Sequence, residues 1–538
     1  ASAVSGSEKH WLLWARQSFD KLSLIDVHRQ MDSTERTVYI EERDAGTLLI
    51  TLVSTSLLVA LAVWVQKKWK YKQAKVPFPP GPWGLPLLGY LPFLRRKQHI
   101  IFRDLAHRYG PLFSVRLGTV NVVILNSYES IREAFSKKQL LARTSSLFLK
   151  QAGVSGIMTL NGTSWIDNRK YCVHLISSPA YGHKDMETQV QEEIEYLIGK
   201  ISDVKGRPIP AEQYLLPSVS NNVSALVFGH RYDFDDPKRK MLDGILDTGM
   251  RCLAAGAVIT FMPRGFRTLT TMCFTRFGAL KPLVQKLAKF ICQEEGLGGK
   301  EPREPRENNF VDGYLQLISE HNEDPNTSFN MSNLIGNALT VFAAGSQTTS
   351  TTVLWSLLCL ADKADTVQRK VQEEIDSVTG GRRVPAWSDR HDMSYTMATV
   401  WEMYRWRTIV VMGMPREAEE DVIVQGYLIK AGTVVMANLW AVHMDPNLWE
   451  APEEFRPERF LTKDGLRLIP KPEWLMPFSS GKRMCPAENL ANLEVFLYLA
   501  RLLQKFTVLP EDGKTVDLNY DTEGFCMPKP QNLRFIPR

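Results

Sequence analysis

The chain has 538 residues, of which 44% are hydrophobic and 23% charged, an ordinary composition for a globular protein. Its net charge of +6 is mild for this length and, without a basic stripe, gives no reason to expect nucleic-acid binding. The seven cysteines are odd in number and no two have ligand spacing, which argues against a disulfide framework and favours a reducing compartment.

The first 66 residues predict an extension followed by a membrane anchor. Residues 1–45 hold eight acidic and six basic residues, whereas a mitochondrial transit peptide is poor in acids. Residues 46–65 carry no charge, and about 20 apolar residues span a bilayer core. Five lysines between 67 and 75 place the C-terminal side in the cytoplasm. We predict a lumenal extension over 1–45 and one transmembrane helix over 46–66; a cleaved signal peptide is the alternative.

The segment 67–89 predicts a hinge. It is basic at first and then rich in proline, and the prolines from Pro77 to Pro86 forbid a helix and keep the chain extended. The hinge separates the anchor from a domain that we predict over 90–538.

Helical and strand patterns alternate in the first part of this domain. Two apolar runs, 113–118 and 120–125, predict a strand pair around a turn. Trp165 and Arg169 are four residues apart and share a helix face that could present an indole N–H and a guanidinium to a carboxylate. A surface helix with one packed tryptophan is the alternative for this pair.

Two later segments carry weaker signals. Residues 261–277 mix aromatic side chains with arginines, which suits contact with a membrane surface or an internal loop equally. Residues 294–309 are polar and rich in helix breakers, which predicts an exposed loop.

The longest uncharged run, from Pro325 to Ala361, predicts a helix through the centre of a large domain. Its asparagines and threonines would be costly in a second membrane span. Within it, residues 343–349 are small or hydroxylated, so that a flat group could approach the helix backbone. A threonine hydroxyl there can bond the carbonyl four residues earlier. Close packing of two helices is the alternative explanation.

A charged pair follows, since Glu402 and Arg405 have the spacing of neighbours on one helix face. Arg459 lies in a predicted loop and could join Glu402 in a charge-assisted network. Between them, 422–429 and 432–438 have strand character.

One cysteine, Cys485, lies in the loop Phe478–Ala487, which contains Gly481 and precedes a long amphipathic helix. We expect the neighbouring cations Lys482 and Arg483, and the helix N-terminus, to lower the pKa of Cys485 and favour the thiolate. One thiolate alone does not make a zinc site, but it suits the proximal ligand of a haem iron. A buried structural cysteine explains the loop about as well when it is taken by itself.

Taken in this order, the segments resemble the cytochrome P-450 haem-thiolate monooxygenases from Pro77 to Arg538. The family pattern Phe-x-x-Gly-x-Arg-x-Cys matches at Phe478, Gly481, Arg483 and Cys485. The anchor, the hinge and the segment from Asn438 to Pro446 look like the microsomal clan-two type. The implied fold is mainly α with a small β region, the cytochrome P-450 fold, preceded by one N-terminal transmembrane helix.

The resemblance also implies a site. Haem b, iron protoporphyrin IX, would lie between the central helix and the cysteine loop, with Cys485 as the metal ligand. Thr348 would help to deliver protons during oxygen activation, beside Gln347, and Glu402, Arg405 and Arg459 would form a structural triad. The implied cofactor contacts are Arg143, Trp165, Arg169, Ala344, Gly345, Arg416, Phe478, Gly481, Arg483 and Cys485.

The chain departs from the family pattern at three positions. Ala487 replaces the usual glycine after the cysteine, which should fit where the local φ is negative. Val411 stands where a proline is common. Gln347 replaces an acid, and an amide cannot release a proton near neutral pH, although it can hold a water.

The implied function is insertion of one oxygen atom from O2 into a lipophilic substrate, by hydroxylation or epoxidation of a steroid, terpenoid, fatty acid or foreign compound. NADPH would supply electrons through a membrane-bound flavoprotein reductase. The implied location is the endoplasmic reticulum membrane, in contact with its lipid, with the catalytic domain in the cytoplasm. A reductase-independent haem-thiolate isomerase or dehydratase, and a non-enzymatic membrane haem-binding protein, are the alternatives.

Overall fold

A computed structural model describes residues 51, 54–55, 76–94, 97–144, 148–151, 153–177, 186–261, 280–294, 309–522 and 525–538. The predicted extension lies outside these residues, as does nearly all of the predicted anchor. Among the residues described, none of the helices combines the length and apolar character needed to cross a bilayer. Val76–Arg538 form one compact unit.

The described residues of this unit are mainly helical, as the sequence predicts. They form fourteen α-helices: α1 Gln98–Tyr109, α2 Tyr128–Ser136, α3 Phe148–Gln151, α4 Gly162–Ser177, α5 Met186–Ser202, α6 Glu212–Phe228, α7 Pro237–Thr260, α8 Leu280–Glu294, α9 Phe310–Glu320, α10 Met331–Asp362, α11 Arg369–Thr379, α12 Ser394–Trp406, α13 Leu439–His443 and α14 Glu488–Lys505.

The β region is small. Its strands are β1 Leu112–Leu117, β2 Val120–Leu125, β3 Arg416–Glu417, β4 Val422–Val424, β5 Tyr427–Ile429, β6 Val434–Ala437, β7 Phe506–Pro510, β8 Tyr520–Thr522, β9 Cys526–Pro528 and β10 Leu533–Pro537. The largest sheet has the order β1-β2-β6-β3, and three two-stranded sheets pair β4 with β5, β7 with β10 and β8 with β9. The predicted strand pair is confirmed, because β1 and β2 are antiparallel with Val115 opposite Val122.

The central helix is α10, whose 32 residues give a length of about 48 Å at 1.5 Å per residue. It begins six residues later than the uncharged run because Asn330 caps it, accepting a hydrogen bond from the Asn333 N–H at 3.0 Å. Most of its side chains are buried, and it packs against α6 and α14. The prediction of a helix through the domain centre is therefore confirmed.

The described part of the hinge lies against the small sheets. The N–H of Ser114 in β1 donates to the Pro80 carbonyl at 2.7 Å, and the N–H of Leu428 in β5 donates to the Pro77 carbonyl at 2.9 Å. Proline cannot donate a backbone hydrogen bond, but its carbonyl accepts one, so the segment adds to the sheet edges through its acceptors.

Candidate active site

The cysteine loop is a tight turn that ends where α14 begins. The Cys485 N–H donates to the Phe478 carbonyl at 2.9 Å, and the Met484 N–H donates to the Gly481 carbonyl at 3.0 Å. Gly481 has φ +72°, and a Cβ there would lie 2.3 Å from the Phe135 carbonyl oxygen. Only glycine fits this conformation and this close approach of two backbones. The loop therefore holds Cys485 just ahead of the α14 N-terminus.

The prediction that the neighbouring cations Lys482 and Arg483 lower the pKa of Cys485 is wrong. Burial raises the pKa of the Cys485 thiol above its ordinary value, and a backbone hydrogen bond from Ala487 and the charge of Arg169 lower it. Arg483 is adjacent in sequence but its guanidinium turns away, donating to the Leu141 carbonyl at 2.9 Å and to the Ile157 carbonyl at 3.1 Å. Side-chain direction, not sequence distance, decides which cation stabilises the sulfur.

The structure brings four predicted arginines together. Arg143, Arg416 and Arg483 are buried and Arg169 is half-buried. Burial, and the charges of the other arginines of this cluster, lower the pKa of Arg143 to about 10, of Arg483 to about 9 and of Arg416 to about 8. Among the described residues none of the four takes part in an ion pair. Such a cluster calls for an anionic partner.

Two of these guanidinium groups carry a nitrogen that is buried and has no partner within the described ranges, Nε of Arg143 and Nη1 of Arg416. The indole Nε1 of Trp165 is in the same condition. Buried donors are normally hydrogen-bonded, so their remaining partner is an acceptor outside the protein chain. Two carboxylates, such as the propionates of haem, fit this donor set in charge and in hydrogen bonding.

Trp165 and Arg169 share a helix face, as predicted, with the guanidinium of Arg169 5.8 Å from the indole ring. A closer neighbour was not predicted: the guanidinium of Arg483 stacks on that ring at 3.8 Å. Arg169 donates to the Met484 carbonyl at 2.8 Å, next to the cysteine. Helix α4 is thus attached to the cysteine loop through both members of the pair.

The predicted triad forms, and its Arg405–Glu402 pair is buried and joined by two hydrogen bonds. Arg405 binds both carboxylate oxygens of Glu402, at 2.7 and 2.8 Å, and Arg459 Nε donates to Oε1 of Glu402 at 3.0 Å. The side chains of Glu402 and Arg405 have no exposed surface, and that of Arg459 is 6% exposed. Arg459 lies in a 3-10 helix, Pro457–Phe460, where the sequence predicted a loop.

The triad is connected to the segment that leads to the cysteine. Arg405 donates to the His443 carbonyl at 2.9 Å, and Nε2 of His443 accepts from the Met476 N–H at 3.0 Å. Burial lowers the pKa of His443 to about 3, so the ring is neutral and its Nδ1 donates to Thr408 at 2.6 Å. The chain before the loop is therefore fixed by α12.

On the central helix, Ala344 is exposed although Phe342 and Ser346 on either side of it are buried, which leaves α10 accessible from one side at this position. The Thr348 hydroxyl donates to the Ala344 carbonyl at 2.7 Å, as predicted. Gly345 faces the other way, because a Cβ there would lie 3.1 Å from Val223 of α6. For Gly345 the predicted alternative, close packing of two helices, is what the geometry supports.

Gln347 is 7% exposed and its amide nitrogen donates to the Thr351 hydroxyl at 3.3 Å. The Thr351 hydroxyl lies 3.6 Å from the sulfur of Met527 in β9. The amide is thus directed along α10 towards the β8–β9 hairpin. A buried acid that the sequence did not reveal lies nearby: Glu494 of α14 bonds Thr349 and Asn222, and burial raises its pKa to about 8.

Other contacts had no signal in the sequence. The Asn161 side chain accepts from the Arg143 N–H at 2.7 Å and from Arg483 at 3.1 Å, joining two of the arginines. The Phe135 ring lies 3.4 Å from the Arg416 guanidinium. These pairs are far apart in sequence, so spacing could not predict them.

Ala487, which replaces the usual glycine after the cysteine, has a φ of −108°. This negative φ is the condition under which we expected an alanine to fit there.

Comparison with known proteins adds a family to this geometry. The family described as Cytochrome P450 matches residues 79–534. Cytochrome P450 2J3 of Rattus norvegicus is 32% identical over 475 residues, covering 86% of this chain and 91% of the relative. Cytochrome P450 18a1 of Drosophila melanogaster is 31% identical over 490 residues (88% and 89%), and cytochrome P450 2J2 of Homo sapiens is 31% identical over 501 residues (90% and 96%).

Proposed function

Because the chain belongs to the cytochrome P450 family, and is thus a monooxygenase that binds haem b, we propose that Cys485 would hold the haem iron through its thiolate and that the enzyme oxidises a lipophilic substrate. Bound haem supplies the activation of O2 and the insertion of one oxygen atom into a C–H or C=C bond. The observation that carries the site assignment is the cluster of Arg143, Arg169, Arg416 and Arg483. Two of its guanidinium nitrogens are buried without a partner among the described residues, and Arg169 and Arg416 donate to carbonyls of the cysteine loop.

In this proposal, the cluster and the Trp165 indole hold the two propionates. Phe478 and Gly481 keep the loop in the turn that presents the sulfur, and the triad of Glu402, Arg405 and Arg459 fixes the chain before it. Ala344 provides the flat strip of α10 on the opposite face. These residues position the cofactor and exclude water, which is the protein's share of such chemistry.

The protons required on the central-helix side pass through hydroxyl groups. Thr348 can rotate its O–H from the Ala344 carbonyl towards a group in the site, and it is half-buried. Gln347 orders a water but does not release a proton. We propose that Thr348 and water carry the proton in this chain, with Gln347 holding that water.

The substrate is lipophilic, in the class of steroids, terpenoids, fatty acids or foreign compounds, and is hydroxylated or epoxidised. Its pocket draws on segments 145–158, 337–348, 408–414 and 525–527, which are mostly apolar. Residues 145–147 and 152 lie outside the described residues. The Thr408 hydroxyl bonds the Arg405 carbonyl of α12 and the His443 ring, so this side chain stabilises the fold and does not line the pocket.

A flavoprotein reductase passes electrons from NADPH to the cysteine side of the molecule. Lys482 and Lys170 are exposed there, and within the described ranges neither takes part in an ion pair. An acidic docking surface on the reductase would complement these two lysines. We propose a location on the endoplasmic reticulum membrane, with 1–45 lumenal, 46–66 spanning, 67–89 as the hinge and 90–538 as the cytoplasmic catalytic domain in contact with membrane lipid.

The full chain, reconstituted with a reductase and lipid, tests this function. We expect NADPH-dependent oxygen uptake that a lipophilic substrate panel accelerates, with oxygen from 18O2 in the product. Conversion of an oxygenated substrate without NADPH or reductase, and no label from 18O2, would establish the isomerase or dehydratase instead.

Replacing Gln347 by glutamate should increase the fraction of NADPH electrons recovered in product. A positioned general acid accelerates a reaction roughly 10²–10⁴-fold. Since the carboxyl would act through water, we expect a smaller effect, about a tenfold gain in the fraction of electrons recovered in product. The product-to-NADPH ratio measures it, with Gln316→Glu on the exposed side of α9 as the control. An unchanged ratio in Gln347→Glu would mean that the acid does not limit proton delivery.

A further inference from the structure

The loop between α3 and α4 lies directly on the central helix. A Cβ at Gly336 of α10 would lie 2.1 Å from the Ser155 carbonyl oxygen, and a Cβ at Gly156 would lie 2.5 Å from the Gly336 carbonyl oxygen. Both distances are far shorter than van der Waals contact, so the two backbones meet with no side chain between them. Neither glycine has a left-handed φ, so the close approach alone requires glycine at both positions.

An asparagine of α10 binds this loop. Oδ1 of Asn337 accepts the Ile157 N–H at 2.7 Å, and Nδ2 of Asn337 donates to Oδ1 of Asn168 in α4 at 2.6 Å. Asn337 and Asn168 have no exposed surface, and Ile157 is 8% exposed. A buried backbone N–H needs an acceptor, and Asn337 supplies it. We call the packing of Gly156 and Ile157 on Gly336 and Asn337 the loop–helix contact.

The loop is also held from the side of the cysteine loop. Arg483 donates to the Ile157 carbonyl at 3.1 Å and to the Leu160 carbonyl at 2.8 Å. Close by, the Ser155 hydroxyl donates to Oδ1 of Asn333 in α10 at 2.5 Å. The backbone of Ile157 is therefore bound through its N–H to α10 and through its carbonyl to the cysteine loop. The loop is a fixed wall between these two elements.

The loop–helix contact lies where the accessible part of α10 ends. The residues from Gly336 to Phe342 are all buried, whereas Ala343, Ala344 and Gly345 are not. Asn337 precedes Ala344 by seven residues, which is two helical turns, so the two residues share a helix face about 10 Å apart. A molecule that lies along this face from Ala344 towards the start of α10 meets the loop within that distance.

We propose that the loop–helix contact closes one end of the substrate pocket and thereby limits the length of the molecule that fits between α10 and the haem. Gly336 and Asn337 are positioning residues in this role, because they act through the loop and do not touch the substrate. Only residues from Ala343 onwards on α10 then face the substrate, and compact lipophilic molecules are favoured over elongated ones. This inference rests on the proposed function, since the pocket is a substrate site only there.

The test measures the room above the haem in the haem-loaded full chain. The probes are imidazole, phenylimidazole and biphenylylimidazole, which bind haem iron through nitrogen and shift the Soret band. Asn337→Ala leaves the Ile157 N–H without its acceptor, and Gly336→Ala places a Cβ against the Ser155 carbonyl, so each variant moves the loop away from α10. Relief of a steric clash should lower the dissociation constant of the biphenyl compound, relative to that of imidazole, about tenfold in each variant.

Ser155→Ala is a milder variant, because it removes only the hydroxyl that bonds Asn333. It should lower the same ratio of dissociation constants by a smaller factor. The reduced, carbon monoxide-bound spectrum identifies which of the three variants keep a thiolate-bound haem, and the ratio is compared among those.

Gly199→Ala and Ser356→Ala are the matched controls. Outside the backbone of α5 itself, no atom lies within 4 Å of a Cβ added to Gly199. Ser356 of α10 is buried, and its hydroxyl donates to the Thr352 carbonyl of its own helix at 2.8 Å. Both controls should keep the wild-type ratio.

Two results would overturn the inference: a wild-type ratio in the loop variants that keep the thiolate-type Soret band, or an equal fall of the ratio in the controls. Failure of the proposed function is distinct, because wild type itself would then lack that band.

Discussion

Replacing Glu402 by glutamine is expected to cost roughly 3–5 kcal/mol of folding free energy, as measured when one partner of a buried ion pair is removed. Oε1 of Glu402 accepts from Arg405 at 2.7 Å, from Arg459 at 3.0 Å and from the Arg456 N–H at 2.8 Å. An amide loses the charge and replaces one acceptor with a donor: with its oxygen at the Oε1 position, its NH2 group would face the Nε–H of the buried Arg405. Denaturant unfolding measures the loss, and haem content should fall with it.

Glu450→Gln is the matched control. Glu450 also pairs with an arginine, Arg456 at 2.7 Å, but its side chain is 82% exposed. Exposed pairs contribute about 0–1 kcal/mol, so this variant should unfold close to wild type. Equal losses in Glu402→Gln and Glu450→Gln would refute the claim that burial makes the triad structural.

Gly481→Ala is expected to displace the cysteine loop and abolish haem binding. A left-handed φ of +72° costs alanine about 1–2 kcal/mol, and the added Cβ would lie 2.3 Å from the Phe135 carbonyl oxygen. That oxygen belongs to the backbone at the end of α2 and cannot rotate away, so overpacking adds about 1–3 kcal/mol. Absorbance of the loaded protein per polypeptide chain measures the effect.

Gly513→Ala separates the two costs. Gly513 has the same φ of +72°, but no atom lies within 4 Å of its added Cβ. We expect a loss of only about 1–2 kcal/mol in unfolding free energy and full haem content. Comparable haem loss in both variants would show that backbone strain alone, and not the contact with Phe135, sets the loop.

Local spacing predicted the parts of the site that lie on single elements. Glu402 and Arg405 are three residues apart on one helix, and Trp165 and Arg169 four apart, so helix geometry brings each pair together wherever the helix packs. The strand pair and the central helix followed from apolar patterning in the same way. Arg459 joined Glu402 as expected, although its local structure is a 3-10 helix.

Spacing misled where side-chain direction mattered. Arg483 is two residues from Cys485, yet its guanidinium lies on Trp165, and burial rather than a neighbouring cation dominates the pKa of Cys485. Contacts between distant segments, such as Asn161 with Arg143 and Arg483, depend on how α4 packs against the loop.

The central claim is that Cys485 is the thiolate ligand of a haem held by the arginine cluster. The measurement that tests it most directly is the absorbance spectrum of the reduced, carbon monoxide-bound protein, with Cys485→Ala beside it. We predict a thiolate-type Soret band in wild type and its loss in the variant. Absence of that band from haem-loaded wild type, or its retention in Cys485→Ala, would contradict the account.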